Sequence, residues 1–137
     1  MTVSRGACLC GTVTFEITGH YDRFLLCHCS RCRKDSGSAH AANLYSFSAQ
    51  LHWLSGEDAV THFQLPGTLH GKSFCRHCGS ALPMRQMHGK LLVVPAGCLD
   101  SVPDITPEAH IYTDSKAHWD QQLASLPEIA ALPNKLR

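Results

Sequence analysis

The chain has almost no excess of charge of either sign. Its 137 residues carry 12 Lys+Arg against 11 Asp+Glu, a formal net charge of +1. A dedicated nucleic-acid binder is normally strongly basic, so no nucleic-acid partner is expected. Long hydrophobic runs are missing as well. No segment approaches the roughly 20 apolar residues that span a bilayer, so no membrane contact is expected. The opening Met1-Thr-Val-Ser-Arg-Gly lacks the apolar core of a secretory leader, which points to a cytoplasmic protein. There is no repeat, linker or low-complexity run, so one domain over residues 1–137 is expected. Aromatics make up only 7% of the chain, and the 44% apolar content supports one modest core. Such a core benefits from an added staple.

Cysteine is what the chain has in quantity. Seven of its eight cysteines fall into three clusters: A-C-L-C-G with Cys8 and Cys10, L-C-H-C-S-R-C-R-K with Cys27, Cys29 and Cys32, and F-C-R-H-C-G-S with Cys75 and Cys78. In a reducing compartment, thiols at such spacing read as metal ligands before disulfides. A bridge from Cys8 to Cys10, or from Cys27 to Cys29, would also close a very small, strained ring. Two clusters supply two ligands each and one supplies three. That arithmetic predicts one closed four-thiolate site and one site a ligand short, hence two Zn²⁺ per chain. Closed zinc sites are usually structural, and sites with an open position are usually catalytic.

The rest of the chain alternates in short stretches. Val13, Phe15 and Ile17 put one face of residues 12–17 inward, as in a half-buried strand. Residues 23–27, 39–47, 51–54, 59–65, 68–74, 82–86, 90–94 and 109–113 read as further strands, with a hairpin turn at His88-Gly89. Residues 30–36 fit a single helical turn. Residues 126–132 have helical spacing, with Pro127 in the first turn. The expected class is all-β, several small antiparallel sheets with a short helical tail.

Cys10-Gly11 and Cys78-Gly79 share an ending. A glycine there tolerates the positive φ of a tight knuckle, which pairs Cys8, Cys10, Cys75 and Cys78 in one structural site. Cys27, Cys29 and Cys32 then hold the second metal. Its fourth position is open to water or to an incoming thiolate, or is closed by Cys98, His28 or another of the ten histidines. Arg31, Arg33 and Lys34 surround this site with cations that would attract an anionic ligand. A thiophilic open metal beside a basic rim fits a small anionic thiol such as glutathione. His28 and His77 are expected to point outward, and His110 to be a core histidine or a proton shuttle. Asp100 reads as a turn cap, Trp53 and Trp119 as core or rim packing, and Tyr45 and Phe47 as possible pocket walls.

With these residues the sequence resembles the glutathione-dependent formaldehyde-activating enzyme family, whose domain is shared with centromere protein V. The resemblance rests on G-A-C-L-C-G-T-V-T-F (6–15), C-H-C-S-R-C-R-K (27–34) and F-C-R-H-C-G-S (74–80), then V-P-A-G-C-L-D (94–100) and P-E-A-H-I-Y (107–112), as far as Trp119. It implies a β-tent stapled by zinc, with a structural ion on Cys8, Cys10, Cys75 and Cys78. A catalytic ion is implied on Cys27, Cys29 and Cys32. The implied reaction adds glutathione to formaldehyde to give S-hydroxymethylglutathione, and in reverse is a carbon–sulfur lyase. Cys98 departs from the pattern, standing where a hydroxyl residue is expected before Leu99-Asp100. The rival expectation is a non-enzymatic zinc module that docks a protein or stores a thiol.

Overall fold

The computed structural model describes residues 2–136 and contains three small sheets and one short helix. The first sheet has the order β1-β2-β5, from Val3–Ala7, Thr14–Thr18 and Gln50–Ser55. β2 follows its sequence pattern: Phe15 and Ile17 are fully buried, and Trp53 of β5 meets Phe15 edge-on with ring centroids 5.9 Å apart. β1 has no apolar alternation to announce it. Its inward positions are Ser4 and Gly6, and at Gly6 Phe15 and the Cys98 carbonyl leave no room for a side chain.

The second sheet has five strands. β3 (Arg23–Cys27), β4 (Ala41–Ser46) and β10 (Leu91–Pro95) lie at its centre, and β9 (Met84–Gln86) and β11 (Ala109–Ile111) at its edges. Leu92, Val93 and Val94 are all buried, as suits a strand covered on both faces. The β9–β10 turn runs through Met87, His88 and Gly89, each at positive φ. β11 pairs parallel with β3, whereas wholly antiparallel sheets were expected. The chain reaches it by a long crossover, and Glu108 fixes its start by accepting from Arg23 Nε at 2.7 Å and from the Phe24 N–H at 3.1 Å.

The third sheet is β6 (Val60–Gln64), β7 (Gly71–Cys75) and β8 (Ala81–Leu82). The single strand expected over 82–86 is cut in two. Pro83 has no N–H for the ladder, so β8 ends in the third sheet and β9 begins in the second. The core lies between the sheets, with Val13, Phe15, Ile17, Leu44, Leu82, Leu92 and Val94 each at most 1% exposed.

α1 (Ser30–Ser36) follows β3 directly. Cys29 caps its start by accepting from the Cys32 N–H at 3.3 Å, and Gly37 ends it at φ 63°. The helical tail is not there. Residues 126–132 form no helix, and the nearest structure is two 3-10 turns, Leu123–Ser125 and Asn134–Leu136. So short a segment needs a buried face to stay helical. Leu126, Ile129 and Leu132 are all exposed.

Candidate metal centres

The first centre is built by two tight turns. Gly11 at φ 80° and Gly79 at φ 75° supply the conformation that the shared Cys-Gly ending predicts. The turns meet directly, with the Leu9 N–H donating to Ser80 Oγ at 2.8 Å. The sulfurs of Cys8, Cys10, Cys75 and Cys78 all lie within 4.8 Å of one another. Cys8 and Cys10 are separated by 3.6 Å, and Cys10 and Cys75 by 3.9 Å. Zinc–sulfur bonds of about 2.3 Å at tetrahedral angles place sulfurs about 3.8 Å apart, so the donor set fits zinc. Backbone N–H groups support the charge. Val13 N–H points to Cys8 Sγ at 3.2 Å. Hydrogen bonds from the Ser80 and Cys10 backbones, and from the Ser80 hydroxyl, bring the Cys78 thiol down to about 5.

The second centre sits on the β3–α1 junction. Cys27 ends the strand, Cys29 caps the helix and Cys32 lies in its first turn. Their three sulfurs converge within 4.8 Å. Burial raises the Cys27 thiol and drives that of Cys32 well above its ordinary range, and neighbouring sulfurs push Cys32 further. Cys29 is lowered despite its burial, by the Cys32 N–H and the adjoining thiols. A bound cation would stabilise all three as thiolates. Both cysteine groups are placed to hold metal ions.

The second centre forms one wall of a cavity of about 670 Å³. Cys27, Cys29 and Cys32 share this cavity with Arg31, Tyr45 and Lys72. Arg33 and Lys34 are absent from its lining and belong to the last turn of α1, where the Arg33 Nε is buried without a partner. Lys72 of β7 supplies the cavity's second cation instead, from a strand with no charge pattern to announce it. Tyr45 is a wall residue as expected, while Phe47 is 63% exposed and lies elsewhere. Burial raises the Tyr45 hydroxyl above its ordinary range, and the neighbouring thiols add to this, so it remains a neutral donor.

Several single-residue expectations are corrected. His28 does not point outward. It is fully buried, Nε2 lies 2.8 Å from His110 Nδ1, and its ring packs against His40 at a centroid distance of 5.1 Å. Asp120 Oδ2 stands 3.3 Å from its Nδ1, outside hydrogen-bonding geometry. Burial lowers the His28 pKa, helped by His40 and His110 and opposed by Asp120, so the ring stays neutral behind the cysteine loop. The expected core histidine, His110, lies on an exposed edge strand and is His28's partner. His77 is exposed, as expected, whereas Trp119, expected as core or rim packing, is 63% exposed. Asp100 engages Arg5 through its backbone N–H, which donates to the Arg5 carbonyl at 2.7 Å. Cys98 is in neither sulfur group. It packs against the core, and burial pushes its thiol up to about 12, the behaviour of a small hydrophobe.

Two further side chains in the cavity, His70 and Asp35, had no signal in the sequence. His70 precedes β7, and its Nε2 lies 2.5 Å from Asp35 Oδ2 on α1. Residues 35 apart meet here only because α1 and the third sheet face one another. Lys72 reinforces the contact by donating to the Asp35 carbonyl at 2.6 Å.

Comparison with known proteins agrees with the cysteine pattern. A crystal structure of a Rhodobacter sphaeroides protein superposes with a TM-score of 0.57 at 24% identity, covering 77% of this chain and 98% of that one. It shares the fold. A Halomonas elongata protein named "Putative glutathione-dependent formaldehyde-activating enzyme" is 32% identical over 124 residues, 83% of this chain and 77% of its own length. The family model described as glutathione-dependent formaldehyde-activating enzyme matches residues 3–115, a span that takes in both cysteine centres, and the chain belongs to that family.

Proposed function

We propose that the chain is a two-zinc, single-domain enzyme that adds glutathione, or a similar anionic thiol, to formaldehyde or another small aldehyde. The product is an S-hydroxymethyl adduct, and the reverse reaction is that of a carbon–sulfur lyase. One observation carries this reading: three convergent cysteine sulfurs line the same cavity as two cations, Arg31 and Lys72. Cys8, Cys10, Cys75 and Cys78 would hold a structural ion whose closed shell leaves no place for substrate. Cys27, Cys29 and Cys32 would hold the second. A zinc held by these three residues would supply one thing to the chemistry, stabilisation of a bound thiol as thiolate near neutral pH.

The protein's own part is recognition and exclusion of water. Arg31 and Lys72 attract the two carboxylates of glutathione, and the cavity is within the range of small-molecule sites. Arg33 and Lys34 add positive potential from the far side of α1 and steer the approach. Tyr45 presents a neutral hydroxyl to the ligand. Eight free thiols suit a reducing compartment, in keeping with a cytoplasmic enzyme.

The test compares the wild type with Cys29→Ser. Adduct formation is followed by NMR above the uncatalysed rate, and bound zinc is counted by native mass spectrometry. The expected result is a folded variant with one zinc and no turnover above background. Two zincs in a wild type that neither binds glutathione nor accelerates the reaction would favour a non-enzymatic zinc module.

A further inference from the structure

The proposed addition moves a proton from sulfur to oxygen, and the cysteines offer no group to carry it. We propose that His70 is that proton carrier and that Asp35 is its positioning residue, an inference that rests on the reading above. Asp35 follows Cys32 by three residues on α1 and so lies on the same helical face. Asp35, His70 and the three cysteines all line the one cavity. The side chains of His70 and Asp35 are 21% and 29% exposed, sheltered but not sealed.

The Asp35 contact fixes the chemistry of the ring. An ionised carboxylate only accepts, so Nε2 carries the proton and Nδ1 presents a lone pair. Among the described residues Nδ1 has no hydrogen-bond partner. A base held in its tautomer by a third group is the arrangement that nucleophile activation uses. Lys72 holds the dyad in register by tying the Asp35 carbonyl to β7. The other histidines are less suited. His28 is sealed from the cavity, His110 does not line it, and His40 lines it without a carboxylate to set its tautomer.

The step balances without an added reactant. Nδ1 takes the thiol proton, and Asp35 stabilises the imidazolium. The sulfur attacks the carbonyl carbon, a C–S bond forms, and the C=O π pair moves to oxygen. That oxygen takes the proton back from Nδ1, which leaves the adduct neutral at its hydroxyl and the ring as it began. Cleavage of the adduct runs the same path in reverse.

The experiment measures kcat and KM for glutathione in the wild type, His70→Ala, His70→Gln and Asp35→Asn. Zinc content and circular dichroism are recorded for each. His70→Ala is expected to lower kcat by about 10²-fold, with KM within about twofold and zinc retained, and added imidazole should restore part of the rate. Asp35→Asn should give a smaller loss of the same kind. His70→Gln can hydrogen-bond Asp35 but cannot shuttle a proton, so it decides the matter if the alanine variant does not fold. A folded His70→Gln with wild-type kcat overturns the proposal. So does a loss that tracks zinc content or KM and ignores imidazole, since the dyad would then merely pin α1 to the sheet. A wild type without turnover above background overturns the underlying reading as well, and is seen before any variant is needed.

Discussion

Cysteines of one chain here have opposite physical characters. Cys75 is fully buried between the sulfurs of Cys8, Cys10 and Cys78, where burial raises its thiol and hydrogen bonds from its own turn oppose that. Cys98 is partly buried against the apolar core and keeps its proton. Substituting the two should therefore have very different effects. Cys75→Ser is expected to lose one zinc and the cooperative unfolding transition, because structural zinc supplies folding free energy outright. Cys98→Ala should retain all its zinc and lose about 1 kcal/mol, the common cost of a single substitution. Native mass spectrometry and thermal melts separate the two cases. The two convergent cysteine groups were legible at this scale because their members come in pairs and triplets two or three residues apart, and local spacing is what a sequence displays. His70, Asp35 and Lys72 were not. They meet across 35 residues or more, and no local pattern records that meeting.

At the scale of the element, the strands that carry a buried alternation were readable, β2 foremost. β1 was hidden because a serine and a glycine occupy its inward positions. The break at Pro83 was available in the sequence, since proline rarely sits inside a ladder. The parallel direction of β11 was not, because pairing sense depends on how a long crossover returns. The missing tail helix shows spacing outvoted by exposure. Glu108 is the hinge of β11, and its carboxyl is held below its ordinary value of 4.5 by the Arg23 hydrogen bond and the Phe24 N–H. A depressed carboxyl contributes stability that is present above its unfolded pKa and lost as pH falls through its folded one. Glu108→Gln should therefore speed amide exchange across 109–111 at neutral pH, and that difference should shrink once the pH falls below 4.5. Hydrogen-exchange mass spectrometry reads both. An unchanged exchange rate at neutral pH would place the anchor of β11 elsewhere, most simply in the His28–His110 contact.

For the whole molecule, three sheets share one core and are also tied to one another at particular points. The four-cysteine turns join the first sheet to the third, and the segment around Pro83 joins the third to the second. The His70–Asp35 contact joins α1 to the third sheet across the cavity. Among the described residues no helix is long and apolar enough to cross a membrane. The last stretch, residues 121–136, is exposed throughout. Removing residues 121–137 should leave the melting temperature within about 2 °C, since surface changes away from packed features cost little. A strong chelator should instead abolish cooperative unfolding, with the loss reversed by added zinc. A truncated chain that melts much earlier would show that the tail packs on the body in solution.

The long link between the two cysteine turns also bears on how the protein is made. Cys10 and Cys75 are separated by 65 residues, so their shared site does not exist until the second turn has been synthesised. At about 5–20 residues per second, the ribosome takes roughly 3–13 s to cover that distance. Once Cys32 has been added, the nascent chain carries five free thiols in its first two clusters until Cys75 follows. If the site holds zinc, thiol protection and metal supply during translation then bear on how much of the chain completes its fold.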